Sequence, residues 1–179
     1  ALLPWSANIS GQKMRLAMAR ALLKNTLGDK AESLEIALDR QAFGKNGIAA
    51  GIDRQLLAGL RAAAKARRLR LNNLQPRLIA ELAAHHKQLA DGWFASIDHE
   101  WLTLAGLRGG EIVCLRNHRA STGEQALLAN ELAGLLAAES VTVNAKILSI
   151  SCSEAALPSL PGNWKTTCWP AVMCGDAHA

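Results

Sequence analysis

The sequence predicts an α/β chain in which helices pack on a mixed sheet, and two stretches carry that class. Short runs at 93–98, 101–105 and 112–116 are rich in apolar, β-branched and aromatic residues. His99-Glu100 and Arg108-Gly109-Gly110 separate them, so two successive hairpins are expected. Ser121-x-x-Glu124 then forms a capping box ahead of Leu127, Leu128, Leu132, Leu135 and Leu136, which share one helical stripe, and 143–151 returns as a mostly apolar strand. Antiparallel strands followed by a crossover helix and another strand give a mixed sheet. Composition agrees. Half of the 179 residues are hydrophobic, enough for a core, while aromatics are only 4% and Tyr is absent, which favours helices over a modest sheet and disfavours an all-β sandwich.

Upstream, Leu2-Leu3-Pro4-Trp5 reads as an edge strand or arm, because Pro4 cannot donate inside a ladder. Ser10 is placed to N-cap a helix carrying Met14, Ala17, Met18, Ala21 and Leu22 at helical spacing and ending near Gly28. The alternation at 34–38 and the run 47–52 predict a hairpin around Phe43-Gly44-Lys45-Asn46-Gly47. That loop lacks P-loop spacing, and its lysine is not followed by Ser or Thr, so it is read as a turn. Asp53 caps a helix to about Arg68 with Leu56, Leu57, Leu60 and Ala64 inward. Arg54, Arg61, Lys65 and Arg68 fall on the opposite face as a basic stripe, the strongest charge feature in the chain. A strand at 69–74 and a helix opening on Gln75-Pro76 follow. This last helix has an apolar stripe of Leu78, Ile79, Leu82, Ala83, His86 and Leu89, on which His86 reads as a hydrogen-bonded, buried histidine. Asp91-Gly92 marks a boundary between lobes. From Cys152 the periodicity is lost among Pro158, Pro161 and Pro170, giving an irregular tail that Trp164 and Trp169 can pin.

The net charge of +5 permits an acidic partner without requiring one. No apolar run approaches the ~20 residues needed to cross a bilayer. Four irregularly spaced cysteines fit reduced thiols in a cytoplasm better than a disulfide framework. Cys168, Cys174 and His178 lack a C-x-x-C pair and a fourth ligand, so no metal is expected. A two-metal nuclease would need a carboxylate on the strand at 143–151, which has none. Nucleophilic catalysis has no G-x-S-x-G elbow, and Cys114 has no identifiable base.

The resulting order is helix, two strands, helix, strand, helix, three strands, helix, strand. With the opening Leu3-Pro4-Trp5-Ser6, the segment Ile52-Asp53-Arg54-Gln55-Leu56-Leu57 and the stretches 71–76 and 93–114, it resembles the actin-like, ribonuclease H-like fold. In particular it resembles the PilM and GspL type of actin-like proteins, from bacterial pilus assembly and type II secretion, and the resemblance covers residues 2–150. It implies two related lobes, 1–91 and 92–151, followed by the tail at 152–179.

In ATP-binding members of that fold an Asp-x-Gly-type turn with a following Thr brings backbone amides close to phosphates, and glycine is needed because a side chain blocks the approach. The matching residues here are Asp98, Glu100 and Thr103, with a carboxylate in the glycine position, so the resemblance implies a degenerate nucleotide site and no cofactor. The expected function is that of a non-catalytic scaffold. It would lie in the cytoplasm, reach the inner membrane through a protein partner of an assembly complex, and is compatible with a homodimer. Edge strands or the face of Arg54, Arg61, Lys65 and Arg68 would receive the partner. Two alternatives are a nucleic-acid-binding module on the same face, disfavoured because no aromatic is interleaved there, and a divergent nucleotide-dependent enzyme near Asp98 and Thr103.

Overall fold

The computed structural model describes residues 1–9, 11–40, 42–87, 89, 91–98, 101–119, 125–139, 143, 147–152 and 164–170. The chain divides into two units, Ala1–Pro76 and Arg77–Ala179. Both are mixtures of helix and sheet, as the sequence predicts.

In the first unit, β1 (Leu2–Leu3) and the hairpin of β2 (Leu34–Leu38) and β3 (Gly47–Asp53) form an antiparallel sheet in the order β1-β3-β2. The hairpin register runs from Leu34 opposite Asp53 to Leu38 opposite Ala49. Helix α1 (Gln12–Leu27) packs on it through Ala19, with Leu3 and Ala49 buried beneath and Met18, Leu22, Ile36 and Leu38 around them. Gly11, and not Ser10, occupies the N-cap position of α1, and no side chain caps it. Gly28, at φ 61°, ends α1 and leads through a 3-10 turn, Gly28–Ser33, into β2.

Helix α2 (Arg54–Ala66) starts on Asp53, whose carboxylate accepts from the amides of Gln55 (2.8 Å) and Leu56 (3.1 Å). It is seated less deeply than its apolar pattern predicts. Leu57 is buried and Ala64 half-buried, but Leu56 and Leu60 are exposed, because the small three-stranded sheet offers α2 little surface to cover. Residues 69–74, expected as a strand, form no ladder. Leu69, Leu71 and Leu74 are exposed there, and alternation without a neighbouring edge to pair with does not make a strand.

The second unit holds a five-stranded sheet in the order β6-β5-β4-β7-β8. Strands β4 (Gly92–Asp98), β5 (Trp101–Arg108) and β6 (Glu111–Arg119) are the two expected hairpins, each one to three residues longer at an end than the sequence marks. β7 (Ile147–Cys152) adds parallel to β4, with Trp93 opposite Leu148. It begins at Ile147, although the apolar run begins at Val143, which is buried but outside the strand. β8 (Lys165–Pro170) adds parallel to β7, so part of the expected irregular tail is a sheet strand. At the junction of β4 with β7, Gly92 has φ 152° and a Cβ there would lie 2.6 Å from the Ile147 carbonyl oxygen; no other residue fits.

Both faces of this sheet are covered. On one, Trp93, Ala95, Leu102, Leu104, Leu148 and Ile150 meet Leu132 and Leu136 of α4 (Gln125–Ala138), with Trp164 packed alongside. On the other, Phe94, Ala105 and Leu107 meet Leu78 of α3 (Arg77–His85), with Leu82 and Leu89. Pro76 stands immediately before α3, outside it. The capping box at Ser121 and Glu124, and the side chains of Leu127, Leu128 and Trp169, lie outside what is described.

Candidate functional site

The tip of the β4–β5 hairpin is where a phosphate turn would lie. Asp98 closes β4, its backbone paired with Trp101, while His99 and Glu100 lie outside the described residues. Thr103 is half-buried inside β5, in register with Ser96 on one side and Asn117 on the other. Its backbone therefore belongs to a ladder paired on both edges. Asp98 and Thr103 sit in neighbouring strands toward one end of the sheet.

The basic stripe is rearranged by the structure. Arg54 turns back from the first turn of α2 to donate to the carbonyl oxygens of Leu34 (3.4 Å) and Glu32, fastening α2 to the β2 side of its sheet. Arg61 and Lys65 remain on α2 one turn apart and exposed. Arg68 lies beyond the helix end, at φ 55°, with its amide bonded to the Lys65 carbonyl. The expected four-residue face is thus two residues on a helix and one past it. Arg67 and Arg70, also exposed, extend the group; the Arg-Arg-Leu-Arg run at 67–70 announces them in the sequence, but a strand reading of 69–74 hides them.

Beside Arg61 lies an open groove of about 480 Å³ in the first unit. Its floor is the outer face of the hairpin, Ala37, Ala50 and Ile52, its wall Leu57 and Leu74, and its rim Glu35 and Arg61. One half-buried apolar floor with a charge of each sign at the rim suits an extended or helical peptide better than a small polar substrate.

In the second unit, a groove of about 290 Å³ runs between α3 and the β5–β6 hairpin, lined by Ile79, Leu82, Leu107 and Ile112 with His86 and Asp91 at its mouth. His86 is hydrogen-bonded, donating from Nδ1 to the Ala83 carbonyl (2.9 Å), but it is exposed and not buried as its stripe predicts. The stripe instead buries Glu81 completely. Its Oε1 accepts from Arg77 Nε at 2.7 Å, and its Oε2 has no hydrogen-bond partner among the described residues. An i,i+4 Arg/Glu pair is visible in the sequence at 77 and 81, but nothing in the pattern marks it as interior.

Cys114 is buried on β6 and donates from Sγ to Glu139 Oε2 (3.4 Å), while Arg116 Nε binds Glu139 Oε1 at 2.6 Å. Burial, opposed by Arg116 and reinforced by the Glu139 carboxylate, pushes the thiol up to about 11. It stays protonated at neutral pH and is no nucleophile. Of the imagined zinc ligands, Cys174, His178 and the Cys168 side chain lie outside the described residues.

No protein-family model and no curated protein matches the chain. Solved structures do. A chain of the PilM–PilN type IV pilus biogenesis complex superposes with a TM-score of 0.60 at 15% identity, over 84% of this chain and 57% of that one. The cytoplasmic domain of EpsL, an inner-membrane component of the type II secretion system of Vibrio cholerae, gives 0.58 at 14% identity, over 97% and 64%. A Bacteroides thetaiotaomicron protein of unknown function with an actin-like ATPase fold gives 0.57 at 12%, over 87% and 56%. The chain therefore spans between 56% and 64% of the length of these structures.

Proposed function

Proceeding from an actin-like fold of the PilM and GspL type, we propose that this chain is a non-catalytic scaffold domain in pilus assembly or type II secretion. It holds a protein partner of an inner-membrane assembly complex. The observation that supports partner binding is the apolar groove on the first unit, whose floor of Ala37, Ala50 and Ile52 is left open by the shallow seat of α2. Arg61 at its rim selects the charge of what enters, with Lys65 one turn further along α2, while Arg54 and Arg68 frame the two ends of that helix. An amphipathic segment or cytoplasmic tail would place its apolar side chains on the floor and a carboxylate against Arg61.

The absence of catalysis is supported by sequence, through Glu100 in the position where a phosphate-approaching glycine is required. Calorimetric titration with Mg-ATP is expected to give no binding heat, and a Glu100→Gly variant run beside it asks whether that carboxylate is the obstacle. Micromolar or tighter binding by the unaltered chain would replace the scaffold reading with that of an ATPase. Partner binding is tested by Ala37→Trp, which fills the groove from an exposed position. Loss of co-purification with an assembly protein of the inner membrane is expected, and an unchanged complex would place the contact elsewhere.

A further inference from the structure

The two units carry opposite charge. Residues 1–76 hold thirteen basic and five acidic side chains, a net of +8, whereas residues 77–179 hold seven and ten, a net of −3. The imbalance is concentrated in 54–76, which has six basic residues and no acidic one. Arg54 is engaged with backbone carbonyls. The rest, Arg61, Lys65, Arg67, Arg68 and Arg70, are exposed, and none has an ion-pair partner among the described residues.

The same segment exposes apolar side chains that a water-facing surface has no use for. Leu56 and Leu60 on α2 are 57% and 38% exposed, and Leu69, Leu71 and Leu74 after it are 64%, 45% and 50%. At 100° per residue Leu56 and Leu60 form one flank of α2, and Arg61 and Lys65 form another. Between those flanks the outer surface carries only Gln55, Ala58, Gly59, Ala62, Ala63 and Ala66, all exposed and uncharged. Beyond the helix, after Arg67, arginines and leucines alternate through 68–71.

From this pattern we infer that α2 and residues 67–74 form a peripheral contact surface for an anionic lipid bilayer. The leucines and the uncharged strip of α2 enter the headgroup boundary, while the long Arg and Lys side chains bend back to lipid phosphates. A polynucleotide would satisfy the cations but not the leucines, and 54–76 contains no aromatic on which a base could stack. The concave groove lies apart from this outward surface, sharing Arg61 and Leu74 at its border. Lipid contact therefore adds a direct attachment to the partner-mediated one proposed above and does not depend on it.

The test is flotation of the full chain with vesicles of phosphatidylglycerol and phosphatidylethanolamine, beside vesicles of phosphatidylcholine alone. Binding to the anionic vesicles only, weakening as salt rises, is expected. The combined change Lys65→Gln, Arg67→Gln, Arg70→Gln is expected to weaken it about 100-fold. Leu69→Ser with Leu71→Ser, in an exposed segment outside any helix or strand, is expected to weaken it about tenfold while leaving the salt dependence in place. Ala37→Trp is expected to leave flotation unchanged, which separates this surface from the groove. The inference is overturned if the chain fails to float, if it partitions equally onto neutral vesicles, or if the leucine variant binds as tightly as the parent. It is also overturned if single-stranded DNA is held with the same dependence on the cations.

Discussion

The two units use similar residues to different depth. In the second, both faces of the sheet are covered, and Phe94, Ala95, Leu102, Leu104, Ala105, Leu148 and Ile150 are wholly buried. In the first, α1 covers one face with only Ala19 and Leu23 buried, and α2 contributes Leu57 as its single buried residue. A helix of thirteen residues is marginal in isolation. α2 is held by the Asp53 cap, the Arg54 bonds to the 3-10 turn and β2, and one leucine. The difference teaches where each unit keeps its stability and where it keeps its unsatisfied surface. The second is closed around its core, whereas the first leaves apolar area and positive charge for contact with something else.

If that contrast is right, Leu104→Ala should be the most damaging single change of those that test it, costing about 4 kcal/mol in urea unfolding because its site is wholly enclosed. Arg77→Ala should follow at about 3 kcal/mol, since it strands the carboxylate of Glu81 in the interior; Glu81→Gln in the same background should recover most of that loss. Leu57→Ala should cost about 2 kcal/mol, less than Leu104→Ala, because α2 can settle toward the space it leaves. Leu56→Ser, one residue earlier and exposed, should fall within ~0.5 kcal/mol of the parent. Equal losses at 56 and 57 would break the account of how α2 is seated.

The smallest effects are in pH, and they lie at opposite ends of the scale. Asp53 is held below the usual carboxylate range, by the Leu56 amide first and Ser33 second. Its folded value lies under its unfolded one, so its contribution is present above pH 3.8 and is lost as pH falls further. Cys114 has the reverse sign. Its folded value of about 11 exceeds the unfolded 9.0, so the unfolded chain loses its proton first and stability declines as pH rises from 9 toward 11. Melting curves of Asp53→Asn at pH 2 to 5 and Cys114→Ala at pH 8 to 11 are expected to show flatter slopes than the parent in those respective windows.

Much of the fold is legible in the residues. The hairpin of β2 and β3, the Asp53 cap and the β4–β5–β6 meander all rest on local signals: alternation of period two, a carboxylate one residue before a helix, and a Gly109-Gly110 turn. Sequence reasoning fails where a partner distant in the chain decides. Residues 69–74 alternate like a strand and find no edge, while β8, in a stretch that its prolines make look irregular, finds one in β7. The basic face is legible as charge, but its split at Arg54 depends on the carbonyls of Glu32 and Leu34, which no spacing reveals. Burial of Glu81 has the same character. Its helix position is plain, and what encloses it is tertiary.

The parallel addition of β7 to β4 also has a kinetic consequence. The β4–β5 and β5–β6 pairings join near neighbours, while Trp93 must wait for Leu148 before its other edge is satisfied. Loop closure of that length comes late and slows folding. On the ribosome, β4 emerges with Trp93 and Phe94 well before β7 exists, and stays an open apolar edge for the whole synthesis of α4. During that interval the chain is most exposed to aggregation and most in need of a chaperone.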